Sequence, residues 1–240
     1  MRFIASLMTA ALGILIGCLM IFPASAQLIK AEVAGRAPVS DFNDKQNLLY
    51  LDLSTGGRVV IWLRPDVAPL MVERIKTLTR KGFYDGLLFH RVIDGFMAQT
   101  GDPKGDGTGG SDLPDLKAEF NYLPHVRGAV SAARASSEDS ANSQFFIVFQ
   151  PTLKLDRKYT VFGRVLEGMA YVDAIERGEP PANPSRIVHA YIAADGPPPF
   201  NPTPVTPAAD LGAPVTLPMK APSPAPAPAK AKTAAKKTPR

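Results

Sequence analysis

Few side chains in this 240-residue chain have the type and spacing to do chemistry. Gly105-Asp106-Gly107-Thr108-Gly109-Gly110 fits the letters G-x-G-x-x-G of a dinucleotide loop. Such a loop works by presenting a helix N-terminus to a pyrophosphate. Here Ser111-Asp112-Leu113-Pro114 follows with no helical stripe, so the segment is read as a glycine loop needed for its backbone shape. His90, His125 and His189 stand far apart without metal-ligand spacing and are read as structural; no metal site is expected. No G-x-S-x-G elbow and no P-loop lysine occurs. There remains Arg91, in the apolar run Leu87 to Ile93. If that run is extended, Arg91 shares a face with Phe89 and Ile93. A guanidinium in an apolar row is either half of a rim salt bridge or a donor aimed into a pocket, and the pattern leaves both open. Gln99 and Gln144 lie beside apolar residues in the same way, as buried structural amides or as contacts for a ligand.

The elements that would position these residues are mostly strands. Leu49 to Leu53 and Arg58 to Leu63 flank Ser54-Thr55-Gly56-Gly57, whose residues tolerate positive φ, and predict a hairpin. A helix is expected from about Pro69 to Gly82, with Met71, Val72, Ile75 and Leu78 on one stripe. Leu87 to Ile93 and Phe96 to Thr100 predict strands around Asp94-Gly95, and a long polar loop follows from Gly101 to Asp112. Further strands are expected at Ala129 to Ala133, Ser143 to Phe149, Thr160 to Val165 and Arg186 to Ala193, with a second helix at Gly168 to Arg177. Many short strands without βαβ alternation predict an antiparallel barrel or sandwich.

Composition assigns the ends. With 45% hydrophobic and 20% charged residues the chain has material for a core. Thirteen of its 24 prolines fall after Gly196, in a stretch too poor in large apolar residues to fold. Residues 196–240 are therefore expected to be a disordered tail. The tail also holds Lys220, Lys230, Lys232, Lys236, Lys237 and Arg240 against Asp210 alone. The body is thus near neutral despite a pI of 9.3, which argues against nucleic acid as a partner. Weak attachment of the basic tail to the cell envelope and a bland solvated end are both open.

At the other end, Arg2, the uncharged stretch Ile4 to Phe22 and Ala24-Ser25-Ala26 predict a signal peptide over residues 1–26, cleaved after Ala26. The stretch is also close to the ~20 residues that span a bilayer, so an uncleaved anchor is the alternative. A lipoprotein box at Leu15 to Cys18 would leave an apolar run after the lipidated cysteine, and ranks last. Cleavage would remove Cys18, the only cysteine, and the exported, periplasmic protein would be held without disulfides. Residues 27–45 are expected to be a leading arm and residues 46–195 the folded domain, a monomer.

The stretch Phe89 to Gly110, with Ser143 to Ile147, Tyr159 to Gly163 and Gly82-Phe83-Tyr84-Asp85-Gly86, closely resembles the cyclophilin family of peptidyl-prolyl isomerases over roughly residues 46 to 194. That resemblance implies a closed eight-stranded antiparallel β-barrel capped by two α-helices, acting on X-Pro bonds of proline-containing polypeptides during the folding of exported proteins. The reaction twists a partial double bond with a barrier of ~18–20 kcal/mol. It forms no covalent bond, so no cofactor is expected, only an apolar pocket for the ring and a fixed donor.

By the resemblance Arg91 is that donor and Gln99 orients it, while Phe96, Met97, Phe146 and Leu155 wall the pocket. Gln144, Ala133 and Arg134 meet peptide backbone, Gly107 and Thr108 border a neighbouring subsite, and Tyr159 completes the wall. Three positions depart from the best-known eukaryotic pattern: Arg134 for asparagine, Tyr159 for histidine and Lys154 for the tryptophan associated with cyclosporin binding. The alternative function is a proline-peptide-binding chaperone or scaffold with little catalysis.

Overall fold

The computed structural model describes residues 39–200. The expected signal peptide, the expected leading arm before Val39 and the expected tail after Phe200 lie outside these residues. Leu48–Leu53 (β1) and Arg58–Leu63 (β2) form the expected hairpin, in register from Leu48 opposite Trp62 to Asp52 opposite Arg58. Leu49, Leu51 and Leu53 point inward with Val59, Ile61 and Leu63, as period-two alternation requires.

Pro69–Arg80 (α1) buries Met71, Val72, Ile75 and Leu78 and begins with proline, whose missing N–H is not needed there. Its first turn is capped from a distance: the Glu119 carboxylate accepts from the N–H groups of Leu70 and Met71, both at 2.9 Å. That satisfies two otherwise orphaned donors at the positive end of the helix.

Six more strands follow: Arg91–Ile93 (β3), Met97–Thr100 (β4), Ala129–Ala132 (β5), Phe145–Val148 (β6), Val161–Glu167 (β7) and Ile187–Ile192 (β8). The sheet runs β3-β4-β6-β5-β7-β2-β1-β8, with every neighbouring pair antiparallel. The architecture is mainly β with two helices, but the expected closed barrel is corrected: the sheet is an open half-barrel in which β3 and β8 share no ladder. The physical reason lies in the connection 174–186. Val92 exchanges both backbone hydrogen bonds with Gly178 of that loop, each 2.8 Å. The loop continues with Pro180, Pro181 and Pro184, which have no N–H to extend a ladder. The seam is crossed only by isolated contacts, such as Phe89 N–H to Ser185 O at 2.9 Å.

Two other expectations are shortened. The strand expected over Leu87 to Ile93 is regular only at Arg91–Ile93; Phe89 turns into the core, so it does not share a face with Arg91. The second helix is only Met169–Asp173 (α2), because the Arg177 guanidinium takes the carbonyls of Asp173 and Ile175 that a longer helix would use.

Alternation on β4, β5 and β6 divides the apolar residues into two clusters. Ala98, Val130, Ala132, Phe145 and Ile147 join the large core with α1 and the hairpin. Met97, Ala129, Phe146 and Val148 point to the opposite face, where Ile93, Phe96, Leu123, Ala133, Leu155 and Tyr159 gather around them.

Candidate functional site

That second cluster is the floor of a cleft of about 320 Å³, lined by Arg91, Phe96, Met97, Gln99, Ala133, Arg134, Phe146, Lys154, Leu155 and Tyr159. Met97 and Phe146 are 1% and 5% exposed, so the floor is set by packing. Phe96 and Tyr159 flank Phe146 at ring separations of 6.4 and 6.1 Å. Leu155 and Lys154 come from a short 3-10 turn, Leu153–Leu155, and Lys154 Nζ lies 6.0 Å from the Phe96 ring.

Arg91 stands on the rim, opposite Gln99 in the β3–β4 register. Its Nε donates to Glu179 Oε2 at 2.7 Å, and among the described residues no hydrogen bond reaches its two terminal nitrogens. Gln99, expected to orient Arg91, donates instead to Gln144 Oε1 at 2.9 Å. Gln144 in turn donates to Gly107 O and Gly109 O at 3.1 and 2.8 Å. These donors fix the amide directions: Gln144 must accept with its oxygen, and the carbonyl oxygen of Gln99 is left without a protein partner.

Gln99, Ala133 and Arg134 continue into a second, polar cleft of about 390 Å³, where Gln144, Gly107 and Thr108 meet Asp115, Ser140 and Asn142. The structure thus brings all the sequence-predicted site residues to two adjoining clefts. The loop bearing Gly107 and Thr108 is shaped by Asp102, whose carboxylate accepts from the N–H groups of Lys104, Asp106 and Gly107. Burial pushes the Asp102 carboxyl up, but these backbone donors outweigh it and hold the group below the usual range. Gly101, which links β4 to the loop, has φ +89°, and a Cβ there would fall 2.4 Å from Ser143 O. Glycine is required at that crossing.

Arg134 folds over the Tyr159 ring at 4.5 Å and donates to Ala135 O and Lys158 O. Its side chain braces the wall beside Tyr159.

Beneath the floor, the His125 ring stacks on Phe146 at 6.1 Å and an interplanar angle of 18°. Its Nδ1 lies 2.9 Å from Asp156 and its Nε2 3.0 Å from Ser131 Oγ. Burial lowers the His125 pKa against the opposing pull of Asp156, which favours the neutral ring with Nδ1–H donating to Asp156; Nε2 lies against the Ser131 hydroxyl, which also reaches Thr160 O at 3.0 Å. Burial also lowers the pKa of His90, behind Gly107.

Sequence reasoning missed Glu179 as the partner of Arg91, while His125, read as structural, is a buried support of Phe146. The one local signal for Glu179 was a carboxylate within Gly178-Glu179-Pro180-Pro181, a segment the chain must turn.

The sequence model of the family described as cyclophilin type peptidyl-prolyl cis-trans isomerase matches residues 50–192. A "probable peptidyl-prolyl cis-trans isomerase" of Brucella suis is 46% identical over 177 residues, spanning 67% of this chain and 90% of the relative. Peptidyl-prolyl cis-trans isomerase B of Bacillus subtilis is 42% identical over 132 residues, spanning 54% of this chain and 91% of the relative. Among solved structures, a Hirschia baltica cyclophilin is similar with a TM-score of 0.60 and 30% identity, covering 67% of this chain and 78% of the other. A Cryptosporidium parvum cyclophilin-type isomerase, solved in the presence of the dipeptide Ala-Pro, has a TM-score of 0.57 and 26% identity, covering 60% of this chain and 98% of the other.

The buried histidines generate a pH prediction. A histidine whose pKa is lowered by folding leaves the unfolded chain holding more protons below its ordinary value of about 6.5. Stability is therefore complete above that value and is lost as the pH falls from there towards the lowered folded values. The slope is at most about 1.4 kcal/mol per pH unit for each histidine. Urea midpoints measured from pH 7.5 to pH 5 should fall, and His125→Gln should flatten the decline; an unchanged midpoint in the native chain would contradict the neutral assignment.

Proposed function

This chain belongs to the cyclophilin family of peptidyl-prolyl cis-trans isomerases, and from that premise we propose that the cleft beside Arg91 is where it turns X-Pro bonds. The observation that carries the assignment is an arginine, its terminal nitrogens unpartnered among the described residues, on the rim of a cleft with an apolar floor. The pyrrolidine ring packs on Met97, Phe146 and Leu155, with Phe96 and Tyr159 at its sides. Held there, the ring stays fixed while the acyl side rotates.

In the planar amide the nitrogen lone pair is delocalised into the carbonyl; in the twisted state it is localised on nitrogen. A donor from Arg91 is therefore worth more to the twisted state than to either planar isomer, which is the condition for catalysis rather than binding. Gln99 assists through its free carbonyl oxygen, and Gln144 keeps Gln99 in place. Ala133 and Arg134 follow the end of β5, and among the described residues no hydrogen bond reaches the Arg134 backbone N–H or C=O, leaving both for a peptide. The polar cleft with Gly107 and Thr108 takes a neighbouring substrate residue. The Ala-Pro dipeptide with the Cryptosporidium parvum relative supports an X-Pro unit as the ligand.

The clients of this reading are exported proteins. Support comes from the sequence of residues 1–26, and the basic residues near the C-terminus would hold the periplasmic protein weakly to anionic envelope polymers. The clustered site residues all belong to the one folded domain, so this reading requires no second copy of the chain.

Three measurements follow from this reading. Arg91→Ala should lower kcat/KM on a proline tetrapeptide by about 10²-fold, the scale of one lost transition-state donor, with far-UV circular dichroism unchanged; a folded and fully active variant would overturn the mechanism. Cyclosporin should inhibit weakly, because the mobile, hydrated Lys154 ammonium replaces a flat indole donor. Lys154→Trp should increase sensitivity by roughly two orders of magnitude, and nanomolar inhibition of the native chain would contradict the role of residue 154. The intact mass of the protein recovered from the periplasm should correspond to a chain starting at Gln27, and retention of residues 1–26 would refute cleavage.

A further inference from the structure

We propose that Glu179 is a positioning residue for Arg91, holding the Nε edge of the guanidinium so that its two terminal nitrogens stay directed at the bound prolyl group. The inference rests on the reading of Arg91 as the donor and adds what fixes it. An unrestrained arginine has four rotatable side-chain bonds, and their freedom would be lost each time the donor engaged the twisted amide. Preorganisation removes that cost in advance. Gln99 does not supply it: the amide N–H goes to Gln144, and its carbonyl oxygen, the one atom that could accept from a guanidinium, makes no hydrogen bond to Arg91 among the described residues. Among the described residues the Glu179 carboxylate is the one hydrogen-bonding partner of the Arg91 side chain, at 2.7 Å.

Glu179 is itself held in place by the loop that keeps the sheet open. Its neighbour Gly178 and Val92, the neighbour of Arg91, exchange both backbone hydrogen bonds at 2.8 Å, so the acidic side chain is set beside the basic one by strand-like pairing. Gly178 has φ +146°, and a Cβ there would come within 2.5 Å of Pro181 Cα; no other residue makes that turn without displacing the loop. On the far side, Ser185 accepts from Glu176 N–H through its hydroxyl at 3.1 Å and from Phe89 N–H through its carbonyl at 2.9 Å. The loop is thus fastened before and after Glu179.

The Arg91 and Glu179 side chains are 43% and 50% exposed. An ion pair this open adds little to stability, so its consequence is geometric. A carboxylate on Nε occupies one edge of the planar fork and leaves the other edge, with its two nitrogens, facing away from it.

The test uses the full chain with Glu179→Ala and Glu179→Gln. Glu179→Ala should lower kcat/KM roughly two- to fivefold, the scale expected of one exposed pair, with the melting temperature unchanged. Glu179→Gln should regain most of that loss, because the amide oxygen still accepts from Nε–H. Nuclear magnetic resonance supplies a second readout that does not depend on turnover. The Arg91 Nε–H signal, identified by its loss in Arg91→Lys, should shift and exchange faster with water in Glu179→Ala and stay near its native position in Glu179→Gln. An unmoved Nε–H signal in Glu179→Ala, or activity equal to or above that of the native chain, would overturn the proposal. A fully active Arg91→Ala would instead refute the donor reading and leave the Nε–H result standing.

Discussion

The strand residues on the floor of the cleft are chain neighbours of residues buried in the main core. Phe146 and Val148 alternate with Phe145 and Ile147 along β6, and Met97 precedes Ala98 on β4. Because strand side chains alternate with period two, a slip of one residue in the β4–β6 pairing would exchange the faces and place the floor inside the core. The antiparallel register of Met97 opposite Val148 and Gln99 opposite Phe146 is therefore the constraint on which the site depends. Core packing holds the register, and the register delivers Gln99 and Arg91 to the rim, since Arg91 is opposite Gln99 on the next strand.

Polar groups are placed where backbone pairing alone would leave gaps. His125 lies under Phe146 with both ring nitrogens partnered, which avoids the cost of burying an unsatisfied imidazole and fixes the aromatic floor from below. Asp102 gathers the amides of its own loop, so the chain from Gly105 to Gly109 has a defined shape with no regular structure. Glu119 caps α1 across 49 residues of sequence. In each case a charged or polar side chain substitutes for hydrogen bonds that a short strand or helix end cannot make.

Local periodicity explains what was legible in the sequence. The β1–β2 hairpin and α1 are written in alternation, turn residues and an apolar stripe, and they lie within a residue or two of expectation. The run Leu87 to Ile93 misled because its apolar residues, interrupted only by His90 and Arg91, carry no clear period; Phe89 enters the core and regular pairing begins only at Arg91. The second helix was overestimated because a side chain, Arg177, competes for its last carbonyls. Openness of the sheet depends on where Gly178 and its prolines meet β3, a contact 86 residues apart that no window of sequence contains. The same distance hid Glu179, whereas Arg91, Phe96, Met97, Gln99, Phe146 and Leu155 were recognisable only through motifs shared with a family. Composition alone would have left Arg91 an ordinary rim arginine, and its ion pair with Glu179 is half of that bland reading, observed beside the pocket rather than instead of it.

The central claim is that isomerisation takes place on the floor formed by Met97, Phe146 and Leu155. Two-dimensional exchange nuclear magnetic resonance on a proline tetrapeptide, with a small fraction of the full chain added, reads turnover and location together. Cross-peaks between cis and trans proline should appear, accompanied by shifts of the Met97 and Leu155 methyl signals. Absence of exchange, or exchange with shifts confined to the polar cleft around Asp115 and Asn142, would contradict the account.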